Sequence, residues 1–160
     1  MTDRPENEGS DNPGVFVPPP LLFLVALGLG ILIDGNVLDW RHVMHPAQLA
    51  GVAVGMVGLA LILISLGLFR RFRTRPEPWE ASTTLIRTGI YRFSRNPMYL
   101  GMALTSGGIA IYFESIAATA LLILVIVAID RLVIAREERY LTRRFADEYS
   151  AYCAQVRRWF

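Results

Sequence analysis

The chain has 160 residues, 53% of them hydrophobic, with a mean hydropathy of +0.39, which is too apolar for an ordinary soluble domain of this length and points to the membrane class. All 16 basic residues are arginine, which excludes Schiff-base lysine chemistry and a P-loop lysine; the single cysteine, Cys153, excludes an internal disulfide framework, and His42 and His45 alone do not make a conventional zinc site. With a net charge of only +2 and a pI near 9.0, the placement of the arginines says more than their number, and any chemistry must rest on Arg, acids, Tyr, Asn or a bound cofactor.

Residues 1–14 are polar, acidic and rich in turn formers, and read as a disordered tail with no basic region of the kind that opens a signal peptide. Residues 15–70 hold two apolar runs. The first, Val15 to Ile33, carries its prolines at the start, so its helix should begin at about Pro19 or Pro20. The second, Pro46 to Phe69, is about 36 Å long as a helix and long enough to cross a bilayer. Gly51, Gly55 and Gly58 recur along it at helical spacing and suit close packing against a neighbouring helix.

Residues 71–97 form a basic connection. Residues 98–135 hold two more apolar runs, Met98 to Phe113 and Ser115 to Ala135, separated by so short a link that they should form an antiparallel hairpin. Residues 136–160 read as an amphipathic helix, with Leu141, Phe145, Tyr149, Tyr152 and Val156 on one apolar stripe and arginines elsewhere. The expected fold is therefore an all-α integral membrane bundle of about four transmembrane helices followed by a cytoplasmic amphipathic helix. Seven arginines lie between Arg70 and Arg95 and six from Arg136 onward, against one between the first two helices. The positive-inside rule then places both termini in the cytoplasm, and a bacterial inner membrane is the expected location.

The hairpin has a chemical consequence. Residues just before the third helix must neighbour those just after the fourth, which brings Glu137 and Glu138 close to Tyr91, Arg92, Arg95, Asn96 and Tyr99. Each has a bland use: Asn96–Pro97 is an ordinary helix start, Arg95 and Tyr99 are ordinary interfacial residues, and the glutamates can pair with arginines. Asp130 and Arg131, ionisable residues at the membrane boundary, either pair with each other or serve a site.

The stretch "GIYRFSRNPMYLG" followed by "EERYLTRRFADEYSAYCAQVRRW" resembles the isoprenylcysteine carboxyl methyltransferase family and its phospholipid methyltransferase relatives, over roughly residues 85–159. The family pattern is G-x-Y-x-x-x-R-H-P-x-Y-x-G, then a pair of glutamates, then F-G-x-x-Y-x-x-Y. The resemblance implies an integral membrane enzyme that binds S-adenosylmethionine on the cytoplasmic side and meets a lipophilic or lipidated acceptor, and membrane lipids, through the bilayer. It carries cofactor contacts onto Asn96, Pro97, Met98 and Tyr99, onto the segment Ile109, Ala110, Ile111 and Tyr112 with Gly107 and Gly108 allowing close approach, and onto Glu137 as the ligand of the cofactor's ammonium. Tyr91, Tyr149 and Tyr152 would wall the adenosine. Arg95 or Arg131 would orient a carboxylate of cofactor or acceptor, and Glu138 or Tyr99 would serve as base for an amine. Two positions depart from the pattern: Asn96 stands for the histidine and Ala146 for the glycine. Asparagine keeps hydrogen-bonding capacity but cannot titrate.

The implied reaction is methyl transfer to an isoprenylcysteine-like carboxylate. A phospholipid or small-amine N-methyltransferase and a non-catalytic membrane scaffold or lipid-binding protein of the same fold are the alternatives. The basic residues are explained by topology, so nucleic acid is not expected as a partner, and with two histidines and one cysteine no metal is expected.

Overall fold

The computed structural model describes residues 18–35, 46–75 and 84–160. The acidic tail 1–14, the start of the first apolar run, and the link carrying His42 and His45 lie outside the described residues. What is described is all helical, with no strand among those residues.

Helix α1 spans Pro19–Asp34, starting on prolines whose missing N–H groups would be unpaired in a first turn anyway, and ending at Gly35 with φ 66°. Helix α2 spans Pro46–Arg71 and closes on Arg70 and Arg71, cations that suit a helix C-terminus. After a short 3₁₀ turn, Gly89–Arg92, helix α3 spans Pro97–Tyr112. Helix α4 spans Ile116–Ala128, a π-helical segment Ile129–Ile134 follows without a break, and helix α5 spans Ala135–Gln155.

Two antiparallel pairings build the bundle. α2 packs most extensively on α3, and the glycine spacing is the reason. A Cβ at Gly51 would lie 2.6 Å from the carbonyl oxygen of Gly108, and one at Gly101 would lie 2.8 Å from that of Gly58, so the backbones meet through positions where no side chain fits. α1 packs on α4, and Asp34 fixes the register. Its carboxylate accepts from Ser115 Oγ at 2.7 Å and from the Ala117 N–H at 3.0 Å, at a helix start where N–H groups otherwise lack partners. Phe23, Ala26 and Leu27 of α1 then join Tyr99, Ala110, Ala118, Leu122, Ile129, Val133 and Ile134 in one core.

Large apolar side chains cover the outside. Leu24, Leu32, Met56, Val57, Leu63, Ile123 and Leu124 are all exposed, a surface stable in lipid rather than in water. α2 and the continuous rod Ile116–Gln155 are long and apolar enough to cross a membrane. α1 and α3 have 16 residues each, about 24 Å, and fall short of a ~30 Å hydrocarbon core without help from flanking residues.

The C-terminal stripe is not one straight helix. Ala146 adopts φ 39°, ψ −114° and kinks α5. Beyond the kink, Tyr149, Tyr152 and Val156 are buried and pack with Leu85, Leu141, Phe145 and Cys153, so the aromatic face turns onto the protein's own basic segment.

Candidate functional site

The arginine-rich ends of α3 and α5 meet as the hairpin requires. Tyr99 lies in the first turn of α3, and its hydroxyl donates to Glu137 Oε1 at 2.7 Å, across 38 residues of sequence. Glu137 lies just past the spanning part of the rod, and among the described residues no arginine lies against it. Burial lifts its carboxyl from the usual range to about 7; the Tyr99 hydrogen bond offsets part of that rise, and the neighbouring Glu138 charge adds to it.

Beside this pair the chain's end folds back. The Arg95 N–H donates to the Arg157 carbonyl at 3.0 Å. Ser94 Oγ and Asn96 Nδ2 both donate to the Arg158 carbonyl, at 3.3 and 3.0 Å. Arg158 then lies between two carboxylates: its Nη1 bonds both oxygens of Asp130 at 3.3 and 3.2 Å, while Nε and Nη2 bond Glu138, the former at 3.1 Å. Trp159 Nε1 donates to Asp130 at 3.0 Å.

Arg95 closes the cluster on the other side. Its Nη1 lies 3.3 Å from Glu138 Oε1 and 2.6 Å from Cys153 Sγ, while its Nε is buried without a partner. Tyr152 donates to the Tyr91 carbonyl at 2.7 Å, and the Tyr91 ring meets Phe69 of α2 edge-on at 6.1 Å. Burial raises the hydroxyl pKa of Tyr91, Tyr149 and Tyr152 well above that of free tyrosine, so all three stay neutral.

Of the residues singled out from sequence, Tyr91, Arg95, Asn96, Tyr99, Glu137, Glu138, Tyr149 and Tyr152 come together. Pro97 is buried at the first position of α3 and Met98 is half-buried beside it. Ile109, Ala110, Ile111 and Tyr112 are not brought there. They lie ten to thirteen residues beyond Tyr99 along α3, about 15–20 Å away by helical rise, at the end that faces Asp34 and the hairpin turn. Gly108 packs on α2, whereas a Cβ at Gly107 would meet nothing within 4 Å. Arg131 also departs: its side chain is 80% exposed and 3.7 Å from Asp130, whose closer partners are Arg158 and Trp159. Asn96 stands at the N-cap position of α3, yet its side chain makes no cap bond.

Arg158 and Trp159 were not legible as site residues. Their link to Ser94 and Asn96 runs through a backbone carbonyl, which leaves no side-chain signature; the only sequence signal was an Arg-Arg-Trp run directly after the tyrosine stripe.

An uncharacterized protein of Haemophilus influenzae is 39% identical over 62 residues, covering 39% of this chain and 98% of that protein. No solved structure matches the chain. The chain matches the phospholipid methyltransferase family over residues 46–148. That span holds α2, α3 and the rod from α4 into α5, and therefore both halves of the Tyr99–Glu137 pair. On this evidence the chain belongs to the phospholipid methyltransferase family.

Proposed function

We propose that the protein is a membrane methyltransferase that takes its methyl group from S-adenosylmethionine and delivers it to the amine of a phospholipid headgroup. The observation that carries the reading is the part-buried Tyr99–Glu137 pair, a carboxyl group whose burial raises its pKa and against which no cation lies among the described residues. Such a group is costly to ionise alone and gains most when a positive ligand group arrives.

The residues fit the cofactor in two respects. Glu137 suits its ammonium, and the partnerless Nε–H of Arg95 suits its carboxylate. Tyr91, Tyr149 and Tyr152, neutral and largely apolar, suit the walls of an adenosine slot. When bound, the cofactor supplies an electrophilic methyl carbon on a sulfonium. The chain's own contribution is alignment and exclusion of water, the two effects that matter most where charge is dispersed and lost.

The acceptor reading turns on the arginines. A carboxylate acceptor, such as an isoprenylcysteine, needs a cation to orient it. Arg95 and Arg158 are both held by carboxylates and Arg131 points outward, which favours the amine over the carboxylate. We place the site on the cytoplasmic face, with α1 to α4 as four spans; the arginine-rich end of the bundle supports this orientation through the positive-inside rule.

The test is direct. Purified protein in nanodiscs containing phosphatidylethanolamine should transfer labelled methyl to that lipid, and Glu137→Gln should lower transfer at least a hundredfold. Cofactor binding without transfer to any lipid would favour a scaffold; no cofactor binding would defeat the reading.

A further inference from the structure

Asp130 is a side chain that nothing in the Tyr99–Glu137 chemistry requires. It sits in the π-helical segment Ile129–Ile134, where the wider turn changes the phase between α4 and α5. Its two oxygens accept three hydrogen bonds, two from Arg158 Nη1 and one from Trp159 Nε1. Glu138 takes the remaining face of the same guanidinium. Arg158, 34% exposed and beside the site, is thus the cation best placed to receive an anionic headgroup, and it is neutralised from two sides.

We infer that Asp130 is a specificity-determining residue: by holding Arg158, it withholds that guanidinium from carboxylate headgroups and leaves the site selective for amines. An arginine that binds a carboxylate uses paired N–H donors in one plane. Nε and Nη2 of Arg158 are spent on Glu138, and Nη1 is spent on Asp130. Glu138 is also shared with Arg95, so its hold on Arg158 is divided. Removing the Asp130 charge therefore leaves two arginines facing one carboxylate, and the excess positive charge becomes available to a ligand. An asparagine there keeps a single acceptor oxygen, for which Trp159 Nε1 and Arg158 Nη1 then compete.

This inference rests on the amine reading of the acceptor but is tested by binding, so that a failure of the methyl-transfer reading is seen separately. The probes are hexadecylamine and hexadecanoate, titrated into the full chain in phosphatidylcholine nanodiscs, with Asp130→Asn compared to the unaltered protein. The unaltered protein should favour the amine at least tenfold. Asp130→Asn should reduce or reverse that preference through a gain of about tenfold in hexadecanoate affinity, and the gain should vanish in Asp130→Asn combined with Arg158→Gln. Parallel weakening of both probes, or an unchanged preference, would mean that Asp130 only staples the tail, and would overturn the inference. Should Asp130→Asn fail to fold, Arg158→Gln alone decides. A withheld arginine predicts no loss of hexadecanoate affinity, whereas a fall of tenfold would show that Arg158 already receives carboxylates.

Discussion

Tyr99 and Glu137 meet at 2.7 Å because a short turn at the far end of the hairpin returns the chain alongside itself, so a hydroxyl and a carboxyl 38 residues apart share one part-buried position. With its carboxyl pKa at about 7, Glu137 is roughly half protonated at neutral pH. An arriving ammonium favours the ionised form, so binding of S-adenosylmethionine or S-adenosylhomocysteine at pH 7 should release about half a proton. Calorimetry in buffers of different ionisation enthalpy reads this release directly. Glu137→Gln should abolish it and weaken binding at least tenfold; unaltered affinity in that variant would remove Glu137 from the cofactor's ammonium.

The same group sets a pH dependence of stability. Its folded-state pKa lies above the ordinary value of 4.5, so the folded protein holds that proton more tightly than the unfolded chain does. The contribution is fully present below about pH 4.5 and is lost as pH rises through about 7. A shift of this size corresponds to the order of 3 kcal/mol, taken as an upper bound. Thermal unfolding in detergent without cofactor should show stability declining across that window. Glu137→Gln should flatten the decline and exceed the parent protein in stability at pH 8.

Much of this site was legible in the sequence, and the rest was hidden for physical reasons. The short turn sufficed to bring Glu137 and Glu138 near Tyr91, Arg95, Asn96 and Tyr99, though not to single out the Tyr99–Glu137 bond, and the glycine spacing of α2 sufficed to name its packing face. Asp130 and Arg131, which the sequence offers either as a pair or as site residues, do pair at 3.7 Å, but Arg131 is exposed and the returning tail supplies the closer partners of Asp130, Arg158 and Trp159. Ile109 to Tyr112 were attached to the site by resemblance, although the rise of α3 carries them to its other end. The return of the tail depends on the backbone at Ala146 and on carbonyl acceptors at Arg157 and Arg158, neither of which has a side-chain pattern.

Asn96 holds that tail. Its Nδ2 donates to the Arg158 carbonyl in a buried position. Asn96→Ala removes the donor and should destabilise tail docking by about 1–2 kcal/mol, seen as faster amide exchange over residues 156–160. Asn96→Asp should be worse, because it turns an acceptor towards a carbonyl. Asn96→His, which restores the residue of the family pattern, keeps an N–H donor and should protect the tail better than alanine does.

Ala146 stands at φ 39°, a backbone region that favours glycine, and the family pattern has glycine there. Ala146→Gly relieves the steric cost of the Cβ, about 1–3 kcal/mol, and gives back roughly 0.5–1 kcal/mol through the greater freedom of glycine in the unfolded chain. A net gain of about 1 kcal/mol should raise the unfolding midpoint by a few degrees. A loss of stability on this substitution would show that the kink is not strained.

Gly107 and Gly108 are adjacent yet should respond oppositely to the same change. A Cβ at Gly108 would fall 2.7 Å from the Gly55 Cα, against backbone that cannot rotate away, whereas one at Gly107 meets nothing within 4 Å. Gly108→Ala must therefore separate α2 from α3, the most extensive contact of the bundle, and should cost at least about 2 kcal/mol or prevent assembly. Gly107→Ala only replaces a poor helix former with a good one on an open face, and should be neutral or stabilising by up to about 1 kcal/mol. Because α3 carries Tyr99 at its other end, displacement of the helix also moves the hydroxyl that Glu137 uses. Gly108→Ala should accordingly weaken cofactor binding from about 14 Å away, while Gly107→Ala leaves it intact. Cofactor affinity measured on both variants separates a helix-packing role for Gly108 from the cofactor-lining role that the family resemblance implied, under which both substitutions would impair binding.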